Sequence, residues 1–401
     1  MAAGARCAHC ARELHAAERC RHCGKIFCKR HLDPGAHSCP GAKTLVSRRR
    51  AIGLGLGAAT VAALTLAGLR AARLPVPGLP APTYRKDRFI FEHGEKYPSS
   101  HASTVVQAQN GDLLAAWYTG TGEKAPDVAI YSSRLARGGD SWSEPRAIAD
   151  TPDQSEGNPV LWVDPGGSVW LFYVTMYGTS WNDCKIKYKI SEDHGGTWGE
   201  EVILRDELGW MTRNSPLVLK DEEILLPIYN EVNWHSMVII TSDWFKTWRA
   251  YGDLDSPGGA IQPTVVRRDD GSLLMYMRTD ADRIWMSESR DEGRSWSPAV
   301  ATDLNNPNAA VCLLKLASGR LALAFNDSTS DRNPLNIALS GNDGRTWPWR
   351  RIIEGGESKP GSFAYPFLAQ SDDGRIHITY TYNRETIKHV ATNETWIRRG
   401  L

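Results

Sequence analysis

The chain has 401 residues, more than one ordinary domain and enough for two or three folded units. With 41% apolar and 23% charged residues it is not a disordered polymer, and 47 basic against 46 acidic residues exclude a chain-wide polyanion-binding signature. Six of the eight cysteines precede residue 40, which excludes a disulfide scaffold and points to a metal site at one end.

Residues 1–42 hold that site. Cys7, Cys10, Cys20, Cys23, Cys28, His31, His37 and Cys39 supply eight ligands, enough for two closed tetrahedral zinc sites in a segment too short to bury a core. The spacing matches the AN1-type zinc finger along its whole length. That resemblance implies a cross-braced pair of structural zinc ions, one on Cys7, Cys10, Cys28 and His31, the other on Cys20, Cys23, His37 and Cys39. It also implies a protein partner for the finger. Arg19, Arg21, Lys25, Lys29 and Arg30 read as a solvated face rather than a nucleic-acid surface.

Residues 51–69 are uncharged over a length sufficient to cross a bilayer, which predicts a single transmembrane helix over 51–72. The proline-bearing stretch 73–86 reads as an extended linker. Basic residues flank the span on both sides, so charge alone does not orient it. Metal-binding thiolates favour the reducing cytosol, which predicts a cytoplasmic N-terminus and an extracytoplasmic C-terminal domain.

From residue 87 to 401 the expectation is mainly all-β. A Ser/Thr-Trp dipeptide recurs at Trp142, Trp198, Trp248, Trp296, Trp347 and Trp396, at intervals of 48 to 56 residues. Three copies are fuller, SEDHGGTW, SRDEGRSW and SGNDGRTW, in which Asp193, Asp291 and Asn342 serve a turn rather than chemistry. Each unit opens as strand, turn, strand, with turns such as Asn110-Gly111 and Asp270-Gly271. Repeats of this length predict propeller blades, and six repeats predict a six-bladed β-propeller. The last unit lacks an outer strand, and RFIFEHG (88–94) is available to close the ring. Cys184 and Cys312 fall in the second and fifth units, too far apart to bridge.

Residues that open each first strand and end each second strand face one mouth. They include His101, Glu123, Asp127, Glu156, Asn158, Arg213, Glu231, Gln262, Arg278, Asp280, Arg332, Tyr365 and Arg384, a set polar enough for binding or catalysis.

The Asp-box signatures on six units resemble those of sialidases, over roughly residues 88–397. The resemblance implies an arginine triad that clamps a carboxylate, a tyrosine nucleophile with a glutamate partner, and an aspartic acid. Arg278 and Arg332 match two triad arginines and Tyr365 the nucleophile. His101 stands where the family has its first arginine, and Gln262 where it has the glutamate. A tyrosine, ordinarily near pKa 10, needs a base, and Gln262 is not one. Glu231, Glu156 and Asp280 are therefore substitute bases, Asp127 the expected acid with Glu123 second, and Arg213 a substrate contact or the partner of a carboxylate. The resulting expectation is a membrane-anchored exo-glycosidase that hydrolyses a terminal acidic sugar, with no cofactor in the propeller. A carbohydrate-binding propeller without turnover and a protein-binding adaptor are the alternatives.

Overall fold

The computed structural model describes residues 82–399, together with a pair of two-residue strands, Glu18–Arg19 and Ile26–Phe27. These belong to two separate units divided between Leu74 and Pro75. In the first, Glu18–Arg19 pairs antiparallel with Ile26–Phe27, and Cys20 and Cys23 fall between the two strands in sequence. The eight expected zinc ligands and the expected span 51–72 lie outside the described residues. Among the described residues, no helix is long and apolar enough to cross a membrane.

The second unit is a ring of six antiparallel sheets in chain order. Blade 1 consists of Ser99–Gln107, Leu113–Gly120, Ala129–Leu135 and Arg146–Ala149. Blade 2 runs from Ser155–Val163 through Val169–Met176 and Cys184–Ser191 to Val202–Arg205. In blade 3 the inner strand is split into Trp210–Thr212 and Leu217–Val218, both paired with Ile224–Asn230. Blades 4 and 5 begin with Ile261–Arg267 and Cys312–Lys315. Blade 6 comprises Phe363–Gln370, Ile376–Tyr382 and Thr386–Thr392, and its outer strand is Arg85–Phe89 from the other end of the chain.

That last pairing closes the ring, in the register Lys388↔Phe89 to Thr392↔Arg85. The strand begins three residues before the stretch expected from sequence and inside the expected linker 73–86. Its start is set by pairing and by charge. Arg85 bonds Asp87 at 2.6 Å and the Ile353 carbonyl at 2.8 Å, and its guanidinium lies 4.8 Å from the Trp396 ring centroid. After the strand, Ile90 and Phe91 turn inward. Phe91 stacks on the fully buried Trp117 of blade 1, ring centroids 4.9 Å apart. One segment therefore joins blade 6 to blade 1.

Inner and second strands are largely buried on both faces because each sheet is packed between two neighbours, as in Val169–Met176, where all eight residues are buried. The Asp-box is a turn. Asp193 accepts from the Thr197 backbone N–H at 2.7 Å and from the Ser191 and Thr197 hydroxyls at 2.8 Å. Asp291 and Asp243 repeat this pattern, and Asn342 reproduces its Ser340 and Thr346 contacts. The final Ser/Thr-Trp position departs from it. Trp396 sits in a short helix, Glu394–Arg398, capped by Asn393. Cys184 and Cys312 are both free and buried.

Candidate active site

One backbone device recurs at the mouth end of the inner strands. Ala102, Asn158, Gln262, Asn308 and Tyr365 all have positive φ, between 43° and 55°. Four of them sit in register shifts that interrupt strand pairing, at His101/Thr104, Gly157/Val160, Ile261/Thr264 and Ala364/Phe367. A left-handed residue that is not glycine costs on the order of 1 kcal/mol, and such strain concentrates at functional sites. Here it accompanies Asn158, Gln262 and Tyr365, which line one cavity.

That cavity has a volume of about 140 Å³, and its lining includes Tyr118, Glu123, Trp181, Tyr229, Glu231, Trp234, Arg278, Arg332 and Arg384. At its floor the Tyr365 hydroxyl oxygen accepts from Arg278 Nη1 at 2.8 Å and from Gln262 Nε2 at 3.1 Å. The Gln262 carbonyl oxygen in turn accepts from Arg278 Nη1 at 3.1 Å, which sets the orientation of the amide. Burial pushes the Tyr365 hydroxyl up, but Arg278, Arg332 and the Gln262 bond outweigh it and hold the group below the ordinary tyrosine value. Donors and cations thus favour the phenolate, with no carboxylate on its oxygen.

The carboxylates divide. Glu231 lines the cavity, and burial pushes it up to about 7 against the opposing field of Arg278. Glu123 accepts from the Trp181 indole N–H at 3.2 Å and pairs with Arg384. Asp127, the expected acid, is exposed outside the lining, with its oxygens on the Thr121 backbone N–H and hydroxyl at 2.9 and 2.8 Å. The carboxylate that blade 1 gives the cavity is Glu123. Glu156 is fully buried away from the cavity, accepting from Thr151 Oγ1 and Thr175 Oγ1, both at 2.6 Å. Asp280 is exposed and also outside the lining.

Two further expected contacts lie beneath the floor. Arg213 is buried, and its guanidinium donates to the carbonyls of Ser103, Tyr365 and Pro366 at 3.2, 2.8 and 3.3 Å. It holds blade 6 to blade 1 rather than pairing with a carboxylate. The split in the inner strand of blade 3 is where Arg213 inserts. His101 is buried with its ring centroid 4.2 Å from that of Tyr365, and Nδ1 bonds Thr381 Oγ1 at 2.8 Å. Burial, reinforced by Arg384, Arg332, Arg213 and Arg278, holds His101 well below the ordinary histidine value. It is neutral at pH 7 and offers no cationic clamp.

Trp181 and Trp234 were not singled out by the sequence reading. Both stand outside the repeating Ser/Thr-Trp positions, but so do core residues such as Trp117 and Trp170, so no sequence signal sets them apart. Trp181 needs Gly157 beneath it, because a Cβ there would come within 2.8 Å of the indole.

Comparison with known proteins agrees with this architecture. The family model for the BNR repeat-like domain matches residues 111–378. The chain is 27% identical over 403 residues to a sialidase of Micromonospora viridifaciens, a match that covers 87% of this chain and 60% of that protein. It thus spans about three fifths of that relative's length. Among solved structures, the Hadza microbial sialidase Hz136 superposes with a TM-score of 0.67 at 19% identity, over 78% of this chain and 69% of that one. The NanB sialidase of Streptococcus pneumoniae gives 0.68 at 14% identity, over 77% and 71%. These two likenesses concern the fold. Since the family model spans more than half of the sequence, the chain belongs to the BNR repeat-like domain family.

Proposed function

We propose that the propeller is a glycoside hydrolase that cleaves a terminal, acidic sugar with Tyr365 as its nucleophile. The observation that carries this reading is the pair of donors, Arg278 and Gln262, on the Tyr365 oxygen, with Arg332 also over its ring at 5.4 Å. In this scheme Arg278 and Arg332 bind the sugar carboxylate. The Tyr365 phenolate, its proton already released to solvent, attacks the anomeric carbon as the glycosidic C–O bond breaks, and protonated Glu231 gives its proton to the leaving oxygen. Water then attacks the anomeric carbon, Glu231 takes its proton, and the tyrosine oxygen departs. Fold-level likeness to sialidases supports the substrate class, and the residues supply the chemistry. Turnover of an aryl sialoside tests this. Tyr365→Phe should lower kcat/KM on the order of a hundredfold or more. Full activity in that variant would remove tyrosine from the mechanism.

Gln262 favours a second reading, a glycan-binding propeller without turnover, because no carboxylate bonds the Tyr365 oxygen among the described residues. Binding of a sialoside without hydrolysis by the wild type would select it.

For the N-terminal unit we propose two structural zinc ions on the eight Cys and His ligands, a single membrane span over 51–72, a cytoplasmic N-terminus and an extracytoplasmic propeller. Ligand spacing and the uncharged stretch support this. Metal analysis of the intact chain should return two zinc ions, and Cys10 should resist an impermeant thiol reagent in intact cells. A protein is the partner this finger would bind.

A further inference from the structure

Arg278 and Arg332 are cations without a carboxylate partner among the described residues. Arg278 is 8% exposed, and its donors meet Asn308 Oδ1 at 2.6 Å, Gln262 and Tyr365. Arg332 donates to the Asn308 carbonyl at 3.3 Å. A cavity lined by such groups favours an anion. In the cavity lining blade 1 supplies no third cation, since His101 lies neutral against Tyr365 and Lys124 stands outside the lining, 5.7 Å from the Trp181 ring centroid. Arg384, from the hairpin tip between Ile376–Tyr382 and Thr386–Thr392, lines the same cavity. Its backbone is fixed to blade 1, its carbonyl accepting the Ser100 N–H at 2.8 Å. Its side chain pairs with Glu123 and is 42% exposed.

We propose that Arg384 is the movable third cation of an anion clamp, exchanging its partner Glu123 for the carboxylate of a bound sugar acid and joining Arg278 and Arg332 on it. The exchange is feasible because an ion pair this exposed is held weakly, whereas a carboxylate on several guanidiniums inside a cavity is held by charge-assisted bonds. Glu123 keeps the Trp181 indole N–H on its other oxygen, so the blade 1 loop need not move. The sugar portion of the ligand rests on the hydrolase reading; the clamp itself rests on the cluster of charges.

Calorimetric titration of the intact chain with N-acetylneuraminic acid and with its methyl ester tests the clamp. Arg384→Ala should weaken the acid on the order of tenfold and leave the ester unchanged. Glu123→Gln, which frees Arg384, should tighten the acid several-fold, and that gain should vanish in the double variant. Should Arg384→Ala melt early, Arg384→Lys, which keeps the charge without the fork, should fall between wild type and alanine. Wild type that binds neither probe, an acid-to-ester ratio unmoved by Arg384→Ala, or a Glu123→Gln variant that binds the acid no better would each overturn the proposal. Acid selectivity that depends on Arg384, without aryl sialoside turnover, would keep the clamp and remove the hydrolase. Turnover indifferent to Arg384 would do the reverse.

Discussion

At the scale of single residues, the informative contact is Gln262 against Tyr365. The amide donates to the phenol oxygen, so it stabilises the charged nucleophile without accepting its proton. Gln262→Glu reverses this. A carboxylate at that position would accept the tyrosine proton, and it would pair with Arg278, now 3.1 Å from the amide oxygen. Two changes are expected. KM for an acidic sialoside should rise roughly tenfold, the scale of one charge-assisted hydrogen bond, because Arg278 is partly neutralised. The pH profile of kcat/KM should also change. In the wild type it should be bell-shaped, because turnover needs Tyr365 ionised and Glu231, raised to about 7, protonated; in the variant the carboxylate at position 262 takes the tyrosine proton, so the bell should shift to lower pH. Superimposable profiles would mean that tyrosine does not titrate in the reaction.

Single residues also show why the sequence located the mouth better than its chemistry. The rule that strand ends face the axis brought Asn158, Glu231, Gln262, Arg278, Arg332, Tyr365 and Arg384 to one cavity. It misplaced His101, which stands beside a left-handed residue in a register shift. A slip of one residue moves a side chain to the opposite face, and no repeat pattern announces it. Asp127 lies on a loop whose own Thr121 competes for its oxygens, a contact invisible in strand alternation. Arg213 has the composition of a ligand clamp but is held by backbone carbonyls that only the closed ring brings together.

At the scale of elements, blade 2 buries charge where its inner strand meets the end of blade 1. Glu156 on Ser155–Val163 is fully buried, and burial raises it to about 7 despite bonds from Thr151 and Thr175 and the field of Lys187. Lys187 bonds Thr151 at 3.1 Å and Glu201 at 3.0 Å. The sign follows from linkage. A carboxyl whose folded value is raised contributes stability that is complete below its unfolded value near 4.5 and is lost as pH rises through about 7. Glu156→Gln keeps the shape and removes the titration. Relative to that variant, the wild type should lose roughly 2–3 kcal/mol between pH 5 and pH 8 by denaturant melts. His101, His377 and His389 titrate with the opposite sign, being held below the ordinary histidine value, but they are common to both proteins and cancel in the difference. A constant difference across that range would mean that Glu156 is ionised throughout.

At the scale of the whole molecule, the repeat count was legible because four of the six units carry a local turn with Ser or Thr, Asp or Asn, and Trp in fixed order, and the other two keep its closing Ser/Thr-Trp. Ring closure is not local. The sequence offered a spare strand, but its bounds are decided by partners some three hundred residues away, such as Thr392 for Arg85 and Ile387 for Ile90. Closure stabilises the ring through main-chain pairing, the Lys388 contacts with Asp87 and Glu354, and burial of Ile90 and Phe91 against Ala115, Trp117 and Ile387. Roughly four hydrogen bonds at about 1 kcal/mol and two apolar side chains at about 2 kcal/mol give a scale of about 8 kcal/mol. Removing residues 84–91 from the full chain should therefore lower the melting temperature of the propeller by about 10 °C or more. It should also raise hydrogen exchange first in Thr386–Thr392, the strand left as an open edge. The cavity would suffer with it, because Arg384 and Tyr365 belong to blade 6 while Glu123 belongs to blade 1. Acid-selective binding should fall at temperatures where most of the chain is still folded. A deletion variant with an unchanged melting temperature and intact acid selectivity would mean that the ring is held by packing between blades alone, and that the N-terminal strand is an attachment rather than a clasp.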